Sequence, residues 1–305
     1  MTAPMTRAAA SNTPNNYNII NEFLNAITAA GIRFADTARI VADGTLRRVQ
    51  TADDRRGQLS GWYRLHADHP PSGAAGDWRK GISTRWTAAR AHAMSAADIA
   101  ILAERARREQ AERIAELAER HRRAAILAES QLAQSKPAKL SHNYLILKKI
   151  KPGIARQFGD FLILPILGID GALRGAQLID EDGAKRFTAG MQKVGGFIPT
   201  QYLPDGTQPL YIAEGWATAA TIAAMRPNVC VIAGLDAGNL ASVATAARQK
   251  FPNLEIVIVP DFDTVGRTAG RKAAEAARAK ILPMPANVPD GCTDWNDYVG
   301  VANHV

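Results

Sequence analysis

The stretch "EIVIVPDFDTVG" (255–266) places a run of branched apolar residues directly before two aspartates. An apolar run without alternation predicts a strand buried on both faces, as in parallel sheets covered by helices. The chain has a formal net charge of +8. The role of Asp261 and Asp263 in so basic a protein is the question from which the functional predictions start.

The residues around this stretch predict an α/β domain. After residue 209, the strand-like runs "PLYIAEG", "VCVIAG", "EIVIVPD" and "ILPMP" alternate with the helix-like runs "WATAATIAAM", "LASVATAARQKF" and "RTAGRKAAEAARAK". Such alternation is typical of βαβ units on a parallel sheet. We therefore predict a parallel four-stranded sheet flanked by helices, with the third helix beginning near Arg267.

Acidic residues follow three of these strands, at Glu214, at Asp236, and at Asp261 with Asp263. Ligands of open α/β sheets bind beyond the carboxyl ends of the strands. Side chains two residues apart in an extended segment share a face, so Asp261 and Asp263 would repel each other unless a cation lay between them. Mg²⁺ takes one or two carboxylates and completes its shell with water and phosphate oxygens. The pattern predicts a magnesium site.

Helix capping is the alternative role for a single aspartate at a strand end. Asp263 could cap the helix near Arg267, and Asp236 could cap the helix that contains "NLASVATAARQK". Both interpretations remain open from the sequence alone, although the three acidic positions together favour the metal site.

Upstream, the chain divides by composition and pattern. We predict a disordered lead-in over 1–17, a small α+β module over 18–92, a long charged helix and linker over 93–140, a basic strand-rich subdomain over 141–208, and the α/β domain over 209–305.

Local signals support these divisions. Helical spacing over 18–33 ends at Gly31, and Ser95 with Asp98 forms a capping-box-like helix start. Apolar runs around Asp170 and Gly171 predict a hairpin. Glu and Arg residues four apart, such as Glu119 and Arg123, favour a long exposed helix. We interpret that helix as a solvated spacer, with a nucleic-acid-binding or coiled-coil helix as alternatives.

Composition limits the class of protein. No apolar run reaches the roughly 18 residues that a membrane span needs, and the N-terminus lacks the apolar core of a secretory signal. We therefore expect a cytoplasmic protein without a membrane partner. The two cysteines, Cys230 and Cys292, are too few for a disulfide framework and predict no zinc site. A pI of about 9.7 fits polyanion binding or simple solubility.

Aromatic and basic residues are interleaved in the N-terminal module. Trp62, Trp78 and Arg79 lie in a segment rich in both types. Single-strand binders use such residues to stack bases and neutralise the backbone. A small core built from tryptophans is the alternative, and both interpretations remain open.

The segments "AEGWATAAT" (213–221), "AGLDAGNL" (233–240), "PDFDTVGRTAG" (260–270) and "DGCTDWNDY" (290–298) resemble the Toprim domain of phage and plasmid DNA primases, in particular the satellite-phage and conjugative-plasmid enzymes. The resemblance extends upstream to residues 54–86 and to the strand-rich segment, so it covers nearly the whole chain. Its most specific motifs are Glu214-Gly215 and the Asp-x-Asp-x-x-Gly motif that runs from Asp261 to Gly266.

The resemblance implies roles for individual residues. Glu214 would be a general acid or base and a metal neighbour, while Asp261 and Asp263 would coordinate Mg²⁺, with Mn²⁺ able to replace it. Residues of second rank for the metal are Asp236, Asp294 and Asp297. Residues that would contact nucleotide or nucleic-acid phosphates are Lys185, Arg186, Lys193 and Arg267.

The implied activity is synthesis of short primers from nucleoside triphosphates on a single-stranded DNA template, with a separate replicative helicase as partner. Replicative primases often carry an aspartate where Thr218 stands here, which implies weaker metal binding. The two alternatives are a Toprim nuclease and a non-catalytic Toprim protein that docks on DNA or protein.

Overall fold

The computed structural model describes residues 16–88 and 95–302. The chain forms two compact units, Met1–Glu112 and Arg113–Val305. Most of the predicted lead-in lies outside the described residues. Asn16 and Tyr17 belong to the first helix, so the prediction was wrong for these two residues.

The N-terminal unit is a helix packed on a four-stranded antiparallel sheet. Its elements are α1 (Asn16–Ala29), β1 (Arg47–Val49), β2 (Gly61–His66), β3 (Ser72–Asp77) and β4 (Ile82–Thr87), with strand order β1-β2-β3-β4. Ile19, Phe23 and Ile27 of α1 pack with Tyr63 and Leu65 of β2 in a buried core. This apolar face explains why the segment folds as an amphipathic helix.

The long helix α2 (Ala96–Gln134) begins at the predicted capping box. The Ser95 hydroxyl donates to Asp98 Oδ2 at 2.7 Å, and the Asp98 backbone N–H donates to Ser95 Oγ at 3.1 Å. Glu119 and Arg123 form the predicted pair at 2.7 Å, and pairs of this spacing add slightly to helix stability.

The first part of α2 is not the solvated spacer that we predicted. Arg105, only 9% exposed, donates to Asp68 Oδ2 at 2.7 Å and to Ser72 Oγ at 2.8 Å. Glu109 contacts Arg64 at 2.9 Å and His66 at 2.8 Å. These pairs anchor the helix to β2 and β3, a connection that helical periodicity alone does not reveal.

The C-terminal unit contains two sheets. The first holds β5 (Lys136–Pro137), β6 (Arg156–Phe158), β7 (Phe161–Leu167), β8 (Leu173–Ile179) and β9 (Lys185–Phe187) in antiparallel order, and a short helix α3 (Asn143–Lys148) follows β5 in the chain. The predicted hairpin is β7–β8, and Gly171 adopts φ of +85° in its turn, a conformation that glycine adopts without strain.

The second sheet has the strand order β10-β12-β11-β13-β14. Its elements and the helices between them are β10 (Ile198–Pro199), β11 (Leu210–Ala213), α4 (Trp216–Met225), β12 (Cys230–Ala233), α5 (Leu240–Lys250), β13 (Ile256–Val259), α6 (Thr264–Ala277), β14 (Lys280–Ile281) and α7 (Trp295–Ala302). Four strands are parallel, as predicted.

The structure adds a fifth strand that the sequence did not indicate. β10 pairs antiparallel with β12, although it belongs to the segment assigned to the strand-rich subdomain. Leu164 of β7 and Ile198 of β10 share one buried core with Trp216 and Val259. The two sheets of this unit are thus joined by continuous packing, and the boundaries predicted for the subdomains remain predictions.

No helix in the described ranges has the length and apolar character required to cross a bilayer.

Arg248 offers a test of how the helices of the second sheet are held. Its guanidinium donates to the carbonyls of Ala277, Pro252 and Leu254, each at 2.8 Å. These bonds satisfy carbonyl groups at the C-terminal end of α6 and in the loop that follows α5. Because the carbonyls of Ala277 and Leu254 are partly buried and would be left unpaired, Arg248→Met should lower the free energy of unfolding by ~2 kcal/mol, measured by urea denaturation.

The matched control is Arg271→Met, since Arg271 is an exposed arginine on α6. It should leave the unfolding free energy within about 0.5 kcal/mol of the unsubstituted chain. Equal effects of the two substitutions would contradict the assigned role of Arg248.

Candidate active site

Strand register brings the acidic residues to one edge of the second sheet. Ala213, the last residue of β11, lies opposite Ala233 of β12 and opposite Val259 of β13. The strands are parallel, so the chain leaves all three at the same edge. Glu214, Asp236 and Asp261 each follow within three residues of these positions, as the sequence pattern predicted.

Asp261 has the most perturbed carboxyl group at this edge. Its Oδ1 atom is buried and has no hydrogen-bond partner. Burial, and after it the charges of Glu214, Asp294 and Asp263 in that order, together raise the pKa of Asp261 to about 7, while the charge of Lys185 opposes them. A carboxylate in such surroundings is stabilised by a proton or by a cation.

Glu214 shares this electrostatic environment. Burial raises the pKa of its carboxyl group, and the charges of Asp263 and Asp236 add to the effect, while a hydrogen bond from the Ala237 backbone and the charge of Lys185 oppose it. A raised pKa makes the carboxylate a stronger base than an exposed glutamate, as a general base requires.

Asp263 differs from the prediction in its geometry. β13 ends at Val259, so Asp261 and Asp263 are not consecutive outward positions of a strand, and the shared-face argument was wrong. Asp263 is the N-cap of α6, and its Oδ1 accepts a hydrogen bond from the Gly266 backbone N–H at 2.6 Å. α6 therefore begins at Thr264, three residues before the predicted start.

Asp294, predicted only as second rank, acts more strongly on Asp261 than Asp263 does. The Phe262 backbone N–H donates to the Thr293 carbonyl at 2.7 Å. The rings of Phe262 and Trp295 also meet edge to face, with centroids 5.7 Å apart. These contacts hold the two loops together, and sequence spacing gave no signal for them.

Asp236 and Asp297, the other two residues of second rank, each have hydrogen-bond and ion-pair partners of their own. Asp236 caps a short helical turn by accepting from the Asn239 backbone N–H at 3.1 Å, and it forms an ion pair with Lys193. Asp297 accepts from Thr293 Oγ1 at 2.9 Å and from Lys148 Nζ at 3.1 Å. Capping, the alternative for Asp236, is therefore observed.

The four predicted phosphate-binding cations occupy different surroundings. Lys185 of β9 interacts with the charges of Asp261, Asp294 and Glu214, which raise the pKa of its amino group. Loss of water around the amino group lowers this pKa more strongly, and the charge of Lys148 lowers it as well. Arg186 lies over the Phe161 ring at 6.0 Å. Lys193 pairs with Asp236. Arg267 is exposed on α6.

The two motif glycines lie against this cluster. A β-carbon added at Gly266 would lie 2.9 Å from both Cβ and the carbonyl oxygen of Asp261, and one at Gly215 would lie 3.9 Å from Lys185 Nζ. Gly266 is therefore required for the close approach of α6 to Asp261. At Gly215, a β-carbon would make only an ordinary van der Waals contact with Lys185.

Trp62, Trp78 and Arg79 lie in the N-terminal unit. The rings of Trp62 and Trp78 are 5.8 Å apart, and Trp78 is 52% exposed. The core of this unit instead uses Trp86, which packs edge to face on Phe23. Arg79 is held by Asp54 at 2.8 Å.

The donor set suits a hard divalent cation that keeps part of its water shell. Among residues 16–88 and 95–302, no three His, Cys, Asp or Glu side chains form a ready metal cage. Mg²⁺ does not require one, because it is commonly bound through one or two carboxylates together with water and phosphate. The unpartnered Oδ1 of Asp261 fits such an ion, and among the neighbouring carboxylates Glu214 has the strongest effect on the Asp261 pKa.

The C-terminal part of the chain matches a known domain family. Residues 209–303 match the family described as Toprim domain. The chain carries a Toprim domain. The predicted fold class, an α/β protein with a C-terminal Toprim domain, is thereby confirmed.

The relatives that match over most of this chain are much longer proteins. "DNA primase TraC" of Escherichia coli is 34% identical over 250 residues, which cover 78% of this chain and 23% of that protein. A second Escherichia coli protein of the same name is 31% identical over 273 residues, covering 85% of this chain and 19% of that protein. The chain thus spans about a fifth of their length, and the predicted resemblance to plasmid primases is confirmed.

The primase fragment of the bacteriophage T7 primase-helicase protein aligns with a TM-score of 0.39 at 18% identity, over 47% of this chain and 59% of that chain. This similarity is too small to carry an argument about the site.

The raised pKa of Asp261 predicts a pH dependence of stability in the presence of a chelator. The folded carboxyl group has a pKa of about 7 against a usual value of 3.8, so the folded state binds more protons than the unfolded state between these values. The free energy of unfolding should therefore fall as pH rises from about 4 to 7.

Asp261→Asn removes this contribution, so above pH 7 the variant should be more stable than the unsubstituted chain, by on the order of 2 kcal/mol. Denaturation curves at pH 5 and pH 8 measure the difference. Asp290→Asn, a change at an exposed aspartate, should leave the pH dependence intact. An unchanged slope in Asp261→Asn would mean that Asp261 ionises normally.

Proposed function

We propose that this protein is a DNA primase, a nucleotidyltransferase that synthesises short primers on single-stranded DNA with Mg²⁺. The observation that carries the proposal is Asp261, a partly buried carboxylate with a pKa of about 7 beside Glu214 and Asp294, at the edge of a Toprim sheet. Similarity to proteins named DNA primase over 78% and 85% of this chain supports the choice of reaction.

In the proposed reaction, the 3′-hydroxyl of the growing strand attacks the α-phosphate of a nucleoside triphosphate. A new P–O bond forms, the bond to pyrophosphate breaks, and the hydroxyl proton passes to a base. Glu214 is our candidate for that base, because its raised pKa makes its carboxylate a stronger proton acceptor than an exposed glutamate. When bound at Asp261 and its acidic neighbours, Mg²⁺ would offset charge on the attacking and leaving oxygens.

Lys185 is our candidate for binding the triphosphate. Its amino group has lost part of its water and interacts with the charges of Glu214, Asp261 and Asp294. A cation in such surroundings attracts phosphate more strongly than a fully hydrated one. Lys185 would offset the charge of the phosphates as they approach the carboxylates, with Arg186 and Arg267 as further contacts.

The proposed partners are a single-stranded DNA template, nucleoside triphosphates and a separate replicative helicase, and the proposed site of action is the cytoplasm. Mn²⁺ is expected to replace Mg²⁺, because both are hard cations that prefer oxygen ligands.

One observation favours a second candidate, a non-catalytic Toprim protein that docks on DNA. Thr218, the position where related primases often carry an aspartate, is buried in α4 with 2% exposure. No alternative group of three acidic or histidine ligands exists in the part of the chain that the structure describes. The experiment below separates this candidate, and the nuclease, from the primase.

Purified protein is incubated with single-stranded template, labelled nucleoside triphosphates and Mg²⁺. The primase yields primer-length products, a nuclease yields shortened template, and the docking protein yields only a gel shift. Asp261→Asn should reduce synthesis by at least about 100-fold, because a transition-state contact is lost, while template binding changes less than about twofold.

Asp290→Asn serves as the matched control and should retain synthesis. Full synthesis by Asp261→Asn would exclude the assigned site. Absence of labelled product from the unsubstituted chain, with the template intact, would favour the docking protein.

Lys185→Met tests the proposed triphosphate contact. Because the substitution removes a charge but keeps most of the side-chain volume, KM for the nucleoside triphosphate should rise about tenfold or more. Steady-state kinetics over a range of nucleotide concentrations measure the effect. Lys193→Met should change KM less, since Lys193 is paired with Asp236; the reverse order would contradict the assignment.

A further inference from the structure

One face of the N-terminal sheet points away from that unit's core. Residues directly opposite each other in paired strands share a face. Arg48 lies opposite Trp62, Trp62 opposite Gly76, and Gly76 opposite Ser83. The adjacent positions Tyr63 and Ala75 lie on the other face, in the core with α1. The first set therefore forms the outer face of the sheet.

Helix α2 covers only part of this outer face. Arg105 and Glu109 of the helix contact Arg64, His66 and Ser72, at the end where β2 stops and β3 starts. The Arg48–Trp62–Gly76–Ser83 row lies at the opposite end of the same strands. Ser83 and Arg48 are exposed there.

Trp62 of this row and Trp78, which directly follows β3, hold fixed positions relative to each other. The Trp62 and Trp78 rings lie 5.8 Å apart at 33°, and the Arg48 guanidinium lies 3.8 Å from the centre of the Trp78 ring. A β-carbon at Gly76 would lie 2.7 Å from Trp62 Cε2. Gly76 thus lets the Trp62 indole lie directly against the strand, and Trp78 remains 52% exposed.

The charge of this face is positive. Arg48 and Arg85 are both exposed, and Arg85 lies opposite Ala74, which lies opposite Arg64, on the same face. Within the described ranges, no carboxylate pairs with Arg48 or Arg85. Arg79 pairs with Asp54 and donates to Gln58 at 2.6 Å, and its contact with nucleic acid stays a prediction.

We propose that this surface, the tryptophan face (Arg48, Trp62, Trp78 and Arg85), binds single-stranded nucleic acid. A base stacks on the exposed indole of Trp78, and the two arginines neutralise backbone phosphates. Aromatic stacking beside unpaired cations is the arrangement that binds single strands with little sequence preference. The site lies in the N-terminal unit and does not depend on the chemistry of the Toprim carboxylates.

The test measures binding of a fluorescein-labelled oligothymidylate to the full chain by fluorescence anisotropy, in EDTA and over a series of salt concentrations. Trp78→Ala should weaken binding about fivefold or more, as loss of one stacked base predicts. Trp78→Phe should retain most of the affinity. Arg48→Ala should weaken binding and reduce the salt dependence by about one phosphate contact.

Arg39→Ala is the matched control, because Arg39 lies in the same unit with a side chain 91% exposed. It should leave affinity within about twofold of the unsubstituted chain. Equal affinity of Trp78→Ala, Arg48→Ala and Arg39→Ala would overturn the proposal. The proposal would also be overturned if Trp78→Ala lost affinity for an acidic peptide but kept its full affinity for the oligonucleotide. That result would make the face a protein-binding surface.

Two further measurements keep the result interpretable. Thermal unfolding checks that Trp78→Ala folds. If it does not fold, the affinity of Arg48→Ala for the oligonucleotide tests the proposal. The same binding series in an Asp261→Asn background should be unchanged. Failure of the tryptophan face is thereby distinguished from failure of the proposed primase activity, which depends on Asp261.

Discussion

The site depends on one electrostatic constraint, the burial of Asp261 among other carboxylates without a hydrogen-bond partner for its Oδ1 atom. A buried, unpaired carboxylate costs free energy that the folded chain must offset elsewhere. The parallel register of β11 and β13, the cap at Asp263 and the Phe262–Thr293 bond together hold Asp261 in that position. A cation bound at Asp261 would offset the free-energy cost of the buried carboxylate, and this gain would add to the affinity for the cation.

This constraint explains the distribution of charge in a chain with formal net charge +8. The carboxylates of the Toprim edge are concentrated where strands end, and Lys185 from the neighbouring sheet reaches the same region. Continuous packing between the two sheets of the C-terminal unit fixes that lysine relative to the carboxylates. A lysine ammonium group and three carboxylates thus meet at one place, and this arrangement supports the proposed nucleotidyl-transfer site.

Much of the fold could be predicted from the sequence, because buried parallel strands are apolar without alternation and their helices follow at regular spacing. The four parallel strands, the β7–β8 hairpin and the capping box at Ser95 all carry such local signals. β10 has only two residues and pairs with a strand distant in sequence, so no local pattern could indicate it. The anchoring of α2 by Arg105 and Glu109 is equally non-local.

The candidate site was predictable only in part, because some of its contacts join residues that carry no shared local sequence pattern. Strand ends identified Glu214 and Asp261, but the position of Asp294 depends on a loop contact through Phe262 and Thr293. Treating residues 260–263 as extended led to the wrong geometry for Asp263. In the N-terminal unit, composition made Trp78 and Arg79 candidates for nucleic-acid binding, whereas Arg48 becomes a candidate only through strand pairing and its contact with the Trp78 ring.

Calorimetric titration of Mg²⁺ at pH 6 and pH 8, in buffers of different ionisation enthalpy, tests the central claim most directly. Since Asp261 has a pKa of about 7, Mg²⁺ should bind more tightly at pH 8 and should release a fraction of a proton at pH 6. Affinity that is independent of pH, or that survives unchanged in Asp261→Asn, would contradict the account.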